Sequence, residues 1–116
     1  MKTTAPDFAS EAMFAQADEA AALLKVLANP QRLRILCLMV ERERSVGEIN
    51  AQLPLSQPAL SQHLGVLRDR GLVDTRREAQ TIYYSLADGP ARVLLQTLHQ
   101  LYCPPVSAKS ARRRRG

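Results

Sequence analysis

Apolar positions recur at three- and four-residue spacing through most of the chain and give way to partial alternation in one stretch, Leu72 to Leu86. From about Ala9 to Ala28 the sequence is rich in alanine, with Leu23, Leu24 and Leu27 late in the run. That predicts a helix with one apolar face in need of a partner. Asn29 and Pro30 open a second helix, for which Leu33, Leu36, Cys37 and Val40 are the expected buried stripe, with Arg32, Arg34 and Arg42 spread over the remainder. Ser45, Val46, Gly47 and Glu48 form an S-x-x-E capping box ahead of Ile49 and Leu53, which predicts a short helix over 46–52 that Pro54 stops. A further helix is predicted to start near Gln57: Ser56 is the expected N-cap, Pro58 falls in the first turn, and Leu60, Leu64 and Leu67 make one stripe. Gly71 stands where a left-handed residue ends such a helix. Leu72 to Arg76 and Thr81 to Leu86 are rich in Val, Thr, Ile and Tyr and flank Arg77, Glu78, Ala79 and Gln80, which predicts a hairpin. Asp88 is the expected cap of a last helix with Pro90 early and Leu94, Leu95, Leu98, Leu101 and Tyr102 apolar, ended by Cys103, Pro104 and Pro105.

Two short helices joined by Leu53 to Ser56 match the helix-turn-helix layout, in which the second helix enters the major groove. Opposite its apolar stripe this helix shows Pro58, Ser61, Gln62 and Gly65, with Arg68 at the margin. Ser and Gln hydrogen-bond base edges or phosphates, while Gly and Pro let the backbone come close. The candidate DNA-contacting residues are therefore Ser56, Gln57, Pro58, Ser61, Gln62, His63 and Arg68, joined by Arg76, Arg77 and Gln80 near the hairpin tip, where a wing reaches phosphates or the minor groove. The same residues also read as a solvated amphipathic helix and an ordinary turn. His63, on the flank of the helix, suits packing or a phosphate contact better than metal ligation, and His99 suits a subunit interface.

At 116 residues, with 46% apolar and 23% charged residues, the chain is expected to be globular and of one domain, over 9–104, between a flexible N-terminus (1–8) and a basic disordered tail (105–116). The fold class expected is mainly α with a small β-hairpin wing, a winged helix-turn-helix. Its net charge of +5 suits a polyanionic partner, though much of the excess sits in Lys109, Arg112, Arg113, Arg114 and Arg115, a DNA-contacting arm or a solubilising end. Apolar first and last helices predict a two-fold dimer matched to half-sites about one helical turn apart. With no run of 18 apolar residues and no secretory signal pattern, the cytoplasm is expected and a membrane partner is not. There is no glycine-rich phosphate loop, H-E-x-x-H motif or nucleophile elbow, so neither catalysis nor a cofactor is expected.

The order of helix, Asn29-Pro30-Gln31-Arg32-Leu33 helix, S-x-x-E helix, LSQPALSQHLGVLRDRGLV and a wing ending TIYYSL resembles the ArsR (SmtB) family of winged helix-turn-helix repressors over about Ala17 to Cys103. The resemblance implies a homodimer that binds operator DNA and changes affinity when it senses an inducer. Where metal-sensing members carry Cys-x-Cys, this chain has Arg44, Ser45, Val46 and Gly47, and Asp88 and His99 lack the companion ligands of members with an ion on the last helix. No metal site is expected. The only two cysteines, Cys37 and Cys103, resemble the pair of the thiol-based branch of the family, the HlyU and BigR/SqrR types. That resemblance implies that oxidant or reactive sulfur bridges Cys37 to Cys103 as a disulfide or polysulfide and weakens DNA binding. Cys103, beside Pro104, is expected to be the more accessible thiol and to attack first, with Cys37 resolving. Read from the residues alone, Cys37 is more readily a small buried hydrophobe than a sensing thiol. A metal- or metalloid-responsive repressor with thiolate ligands and a constitutive architectural DNA binder are the alternatives.

Overall fold

Three side-chain caps fix where helices begin. Asn29 Oδ1 accepts from the backbone N–H of Gln31 at 2.9 Å and of Arg32 at 3.1 Å. Ser45 Oγ accepts from Glu48 N at 3.1 Å while Glu48 Oε1 accepts from Ser45 N at 2.9 Å, the reciprocal capping box. Ser56 Oγ accepts from Ala59 N at 3.2 Å. Each cap satisfies donors at the helix start that have no partner within their own helix; an N-cap side chain typically contributes about 1 kcal/mol.

The computed structural model describes residues 11–102; the expected flexible N-terminus, Cys103 and the basic tail lie outside them. After a helical turn over 11–15, the elements are α1 (Ala17–Leu27), α2 (Pro30–Glu41), β1 (Arg44–Ser45), α3 (Val46–Gln52), α4 (Gln57–Asp69), β2 (Val73–Glu78), β3 (Thr81–Leu86) and α5 (Pro90–Tyr102). The sheet is antiparallel in the order β1-β3-β2. A mostly helical chain with this small sheet is the winged helix-turn-helix that the sequence pattern predicts. Strand β1, two residues long, carries no sequence signal of its own.

The core forms where α2, α4 and α5 meet the inner face of the sheet, and its fully buried members are Ile35, Leu36, Ile49, Leu60, Leu67 and Leu95. The Leu60, Leu64 and Leu67 stripe is buried as expected, whereas α2 differs. Ile35, Leu36 and Met39 are its buried residues, and Leu33, Cys37 and Val40 are half-buried. This helix packs against α1, α4, α5 and β3 together. Neighbours on several sides bury a broader and rotated face than a single stripe.

Three boundaries also depart from expectation. The first helix is not continuous: Gln16 N is shared between Ala12 O at 3.2 Å and Met13 O at 3.1 Å, and its ψ of 8° turns the chain before Ala17. Such sharing tightens the turn toward i→i+3 geometry, and neither Gly nor Pro marks it. Before α5 the residue that precedes the helix is Gly89 rather than Asp88; its φ of +140° is closed to Asp, and its carbonyl accepts from Val93 N at 3.4 Å. Asp88 instead pairs with Arg92 Nε at 3.3 Å. The hairpin is tighter than expected, since Glu78 pairs with Thr81 and only Ala79 and Gln80 remain as loop, with Ala79 at φ +57°.

The exit from α4 follows the predicted left-handed stop. Gly71, at φ +71°, donates to Arg68 O at 2.9 Å, and Leu72 N donates to Leu67 O at 2.9 Å. This pair of bonds is the Schellman arrangement, and it turns the helix directly into β2.

Candidate nucleic-acid interface

The approach of α3 to α4 is set by a short extended link. Leu55 N donates to Leu53 O at 2.8 Å, and the Asn50 side chain donates through Nδ2 to Leu55 O at 2.9 Å, tying the end of α3 to the residue before the α4 cap. Asn50 went unrecognised in the sequence, because an Asn inside a short helix gives no sign that its amide faces the following turn.

With Leu60, Leu64 and Leu67 turned inward, α4 presents Gln57, Pro58, Ser61 and Gln62 as exposed residues, continuous with exposed Ser56 at the cap. The Ser56 oxygen is engaged by Ala59 N, which leaves its hydroxyl hydrogen available to a phosphate. His63 is half-buried on the flank. A Cβ added at Gly65 would meet no heavy atom within 4 Å, so this glycine answers no packing need within the protein. The helix thus offers uncovered Ser and Gln donors and acceptors on a narrow face, the chemistry that reads base edges in a groove about 12 Å wide.

The remaining sequence candidates do not join that face in the same condition. Arg68 is exposed at the end of α4, yet its Nη1 lies 3.5 Å from Tyr84 Oη, directed at the sheet. Arg76 is engaged on three sides: Nε donates to Glu43 Oε2 at 3.3 Å with Nη2 paired to the other oxygen of the same carboxylate, Nη1 lies 3.5 Å from Glu78 Oε1, and the guanidinium sits 4.6 Å from the centroid of the Tyr83 ring. The hydrogen bond from Arg76 holds the Glu43 carboxyl below the usual carboxylate range, and Glu43 in turn raises Arg76. Glu48 is lowered as well, first by the backbone N–H of Ser45 and then by Arg42. Arg77, paired with Ile82 across the ladder, projects from the opposite face of β2, and Gln80 occupies the exposed tip.

Cys37 is half-buried on α2, and Cys103 lies outside the described residues. His99, expected at a subunit interface, has its Nε2 4.0 Å from Glu41 Oε2 on α2 of the same chain. Large apolar side chains remain exposed at both ends of the chain: Met13, Phe14 and Leu24 on the N-terminal helices, and Val93, Leu101 and Tyr102 on α5. No helix among the described residues is long and apolar enough to cross a membrane.

A family profile for bacterial regulatory proteins of the arsR family matches residues 29–75, which hold α2, β1, α3, α4 and the start of β2. The transcriptional activator HlyU of Vibrio cholerae is 52% identical over 85 residues, 73% of this chain and 79% of HlyU. The chain belongs to the arsR family. The biofilm growth-associated repressor of Agrobacterium fabrum is 51% identical to this arsR-family chain over 94 residues, covering 81% of it and 80% of the repressor. Among solved structures, reduced HlyU from Vibrio cholerae superposes with a TM-score of 0.75 at 48% identity, over 80% of this chain and 98% of that one. The homodimeric winged helix-turn-helix DNA-binding domain of Mb0332 from Mycobacterium bovis gives a TM-score of 0.66 at 33% identity, over 75% and 81% respectively. This arsR-family protein is a transcriptional regulator of the HlyU and biofilm-repressor kind, and not an enzyme.

Proposed function

We propose that this regulator is a dimeric repressor that holds two half-sites of operator DNA through α4 and the wing and releases them when Cys37 and Cys103 are bridged. The observation that carries the DNA reading is the uncovered Ser56, Gln57, Pro58, Ser61 and Gln62 face of α4, whose polar groups other than the Ser56 cap oxygen are left to an outside partner. His63 and Arg68 flank it, and Arg76, Arg77 and Gln80 bring the wing to the phosphates. Dimer formation is supported by the exposed Met13, Phe14, Leu24, Val93, Leu101 and Tyr102, and by the homodimeric state that the Mb0332 structure names for its own chain.

The sensing half of the proposal is supported by the resemblance of the Cys37 and Cys103 pair to that of the thiol-based branch, and by the high identity to HlyU and the biofilm repressor. In the sequence of steps, the Cys103 thiolate takes a sulfane sulfur from a polysulfide, which leaves one sulfur shorter. The Cys37 thiolate then attacks Cys103 Sγ and expels hydrosulfide, leaving a disulfide. A pair that closes only under such stress fits a reducing cytoplasm. Release follows if the bridged form binds DNA more weakly than the dithiol form.

A duplex recovered from random-sequence DNA by selection on the dithiol protein provides the probe. Polysulfide is expected to lower affinity for it in wild type and not in Cys37→Ser, with the first modified thiol found at Cys103 by mass spectrometry. Release from Cys37→Ser by polysulfide would overturn the thiol mechanism, initial labelling at Cys37 would reverse the order of attack, and release by zinc or arsenite alone would assign the protein to metal or metalloid sensing.

A further inference from the structure

The Arg44 side chain is only 12% exposed although β1 is a two-residue edge strand. An enclosed guanidinium needs partners, and α2 provides two of them: Nε donates to the Leu38 carbonyl at 2.7 Å, and Nη2 forms an ion pair with Glu41 Oε1 at 3.6 Å. The last turn of α2 has no basic residue of its own, so Arg44 supplies the positive charge that a helix C-terminus favours. Arg44 also stands directly opposite Tyr84 in the ladder between β1 and β3. Directly opposed residues of an antiparallel pair share a face, so both side chains turn inward. Tyr84 is 5% exposed, and its Oη accepts from Arg68 Nη1, in the last turn of α4, at 3.5 Å.

We propose that Arg44 and Tyr84 are positioning residues for DNA binding, holding the end of α2, the sheet and α4 in one alignment and carrying a shift of α2 at Cys37 to the reading helix. The route is continuous: the carbonyl of Leu38, next in sequence to Cys37, then the Arg44 fork, the β1–β3 ladder, the Tyr84 phenol and Arg68. A planar guanidinium with directed donors holds its partners in a fixed orientation, so it adds a directional tie to the packing between these elements. The positioning role rests on α4 as the DNA-contacting helix, and the transmission rests on bridging of Cys37 to Cys103.

The test uses the full-length protein, Tyr84→Phe and Arg44→Lys, with the selected duplex and a scrambled duplex of equal composition as probes. Tyr84→Phe keeps the buried ring and removes only the oxygen. It is expected to weaken binding to the selected duplex about three- to tenfold, while leaving binding to the scrambled duplex unchanged and the thermal midpoint within about 2 °C. Arg44→Lys keeps the charge without the fork and is expected to show the same loss of selectivity. After polysulfide treatment, with the bridge verified by intact mass, wild type is expected to lose at least about fivefold in affinity and each variant less than about twofold. An unchanged ratio of selected to scrambled binding in Tyr84→Phe overturns the positioning role, and full release from both bridged variants overturns the transmission. A wild type that bridges without releasing DNA defeats the sensing mechanism proposed above, and the affinity ratio then decides the positioning role alone.

Discussion

The reading helix and the wing bring comparable polar side chains to the surface but hold them in opposite ways. On α4, Ser61 and Gln62 stand exposed, and apart from the Ser56 oxygen at the cap the face is left to solvent or a partner. On the wing, Arg76 is satisfied three times over by Glu43, Glu78 and the Tyr83 ring before any nucleic acid arrives. Exposure and availability are therefore separate properties. A sequence shows the first through periodicity, while the second depends on partners such as Glu43, 33 positions from Arg76 in the chain. Under the proposed function the contrast assigns different tasks: α4 discriminates, and the wing keeps its shape and yields a charge only against competition.

The sharpest way to break the comparison is at Gln62. Gln62→Ala is expected to cost about 1–3 kcal/mol of affinity for the selected duplex, with unfolding stability unchanged within about 0.5 kcal/mol. Equal losses on selected and scrambled duplexes would show that α4 supplies phosphate contacts only. Next is Glu43→Gln, which frees Arg76. Binding should strengthen at low salt, and the slope of log affinity against log salt should steepen by about 0.9, the signature of one added phosphate contact. An unchanged slope would mean that the clamp does not withhold Arg76 from DNA. At the wing tip, Ala79 occupies the left-handed region at φ +57°. Ala79→Gly should stabilise the fold by about 0.5 kcal/mol, the relief of left-handed strain outweighing the added chain entropy, as denaturant titration would register. The smallest effect concerns pH. Because the folded Glu43 carboxyl lies below its ordinary value of 4.5, the stability it contributes is present above that value and fades as pH falls through the lowered one. Wild type and Glu43→Gln should accordingly converge in acid when their denaturation midpoints are compared across pH.

Local chemistry was the legible part of this fold. Asn29, Ser45 and Ser56 cap helices in the structure as their positions indicate, and Gly71 takes the left-handed stop, because caps and stops depend on residues two to five positions away. The buried face of α2 was less legible. Ile35 and Met39 displaced Val40 and Cys37 there because helices and a strand from distant parts of the chain pack around α2 on several sides. Asp88 lost its capping place to Gly89 on account of a backbone angle that no composition rule records. At the candidate site, the exposure of Gln57, Pro58, Ser61 and Gln62 on α4 was readable, the engagement of Arg68 and Arg76 was not, and the contacts of Asn50 and Arg44 emerged only once their side chains could be followed across a turn and a strand.

The turn at Gly71 has a consequence for how two grooves are addressed. Its paired backbone bonds leave only Arg70, Gly71 and Leu72 between the end of α4 and the first residue of β2. Helix and hairpin therefore behave like the two arms of a fixed bracket. On the proposed DNA reading, a rotation that withdraws one arm from its groove swings the other with it, so a half-site is gripped or surrendered as a unit, and a small tilt at the bracket's corner becomes a large displacement at the Gln80 tip.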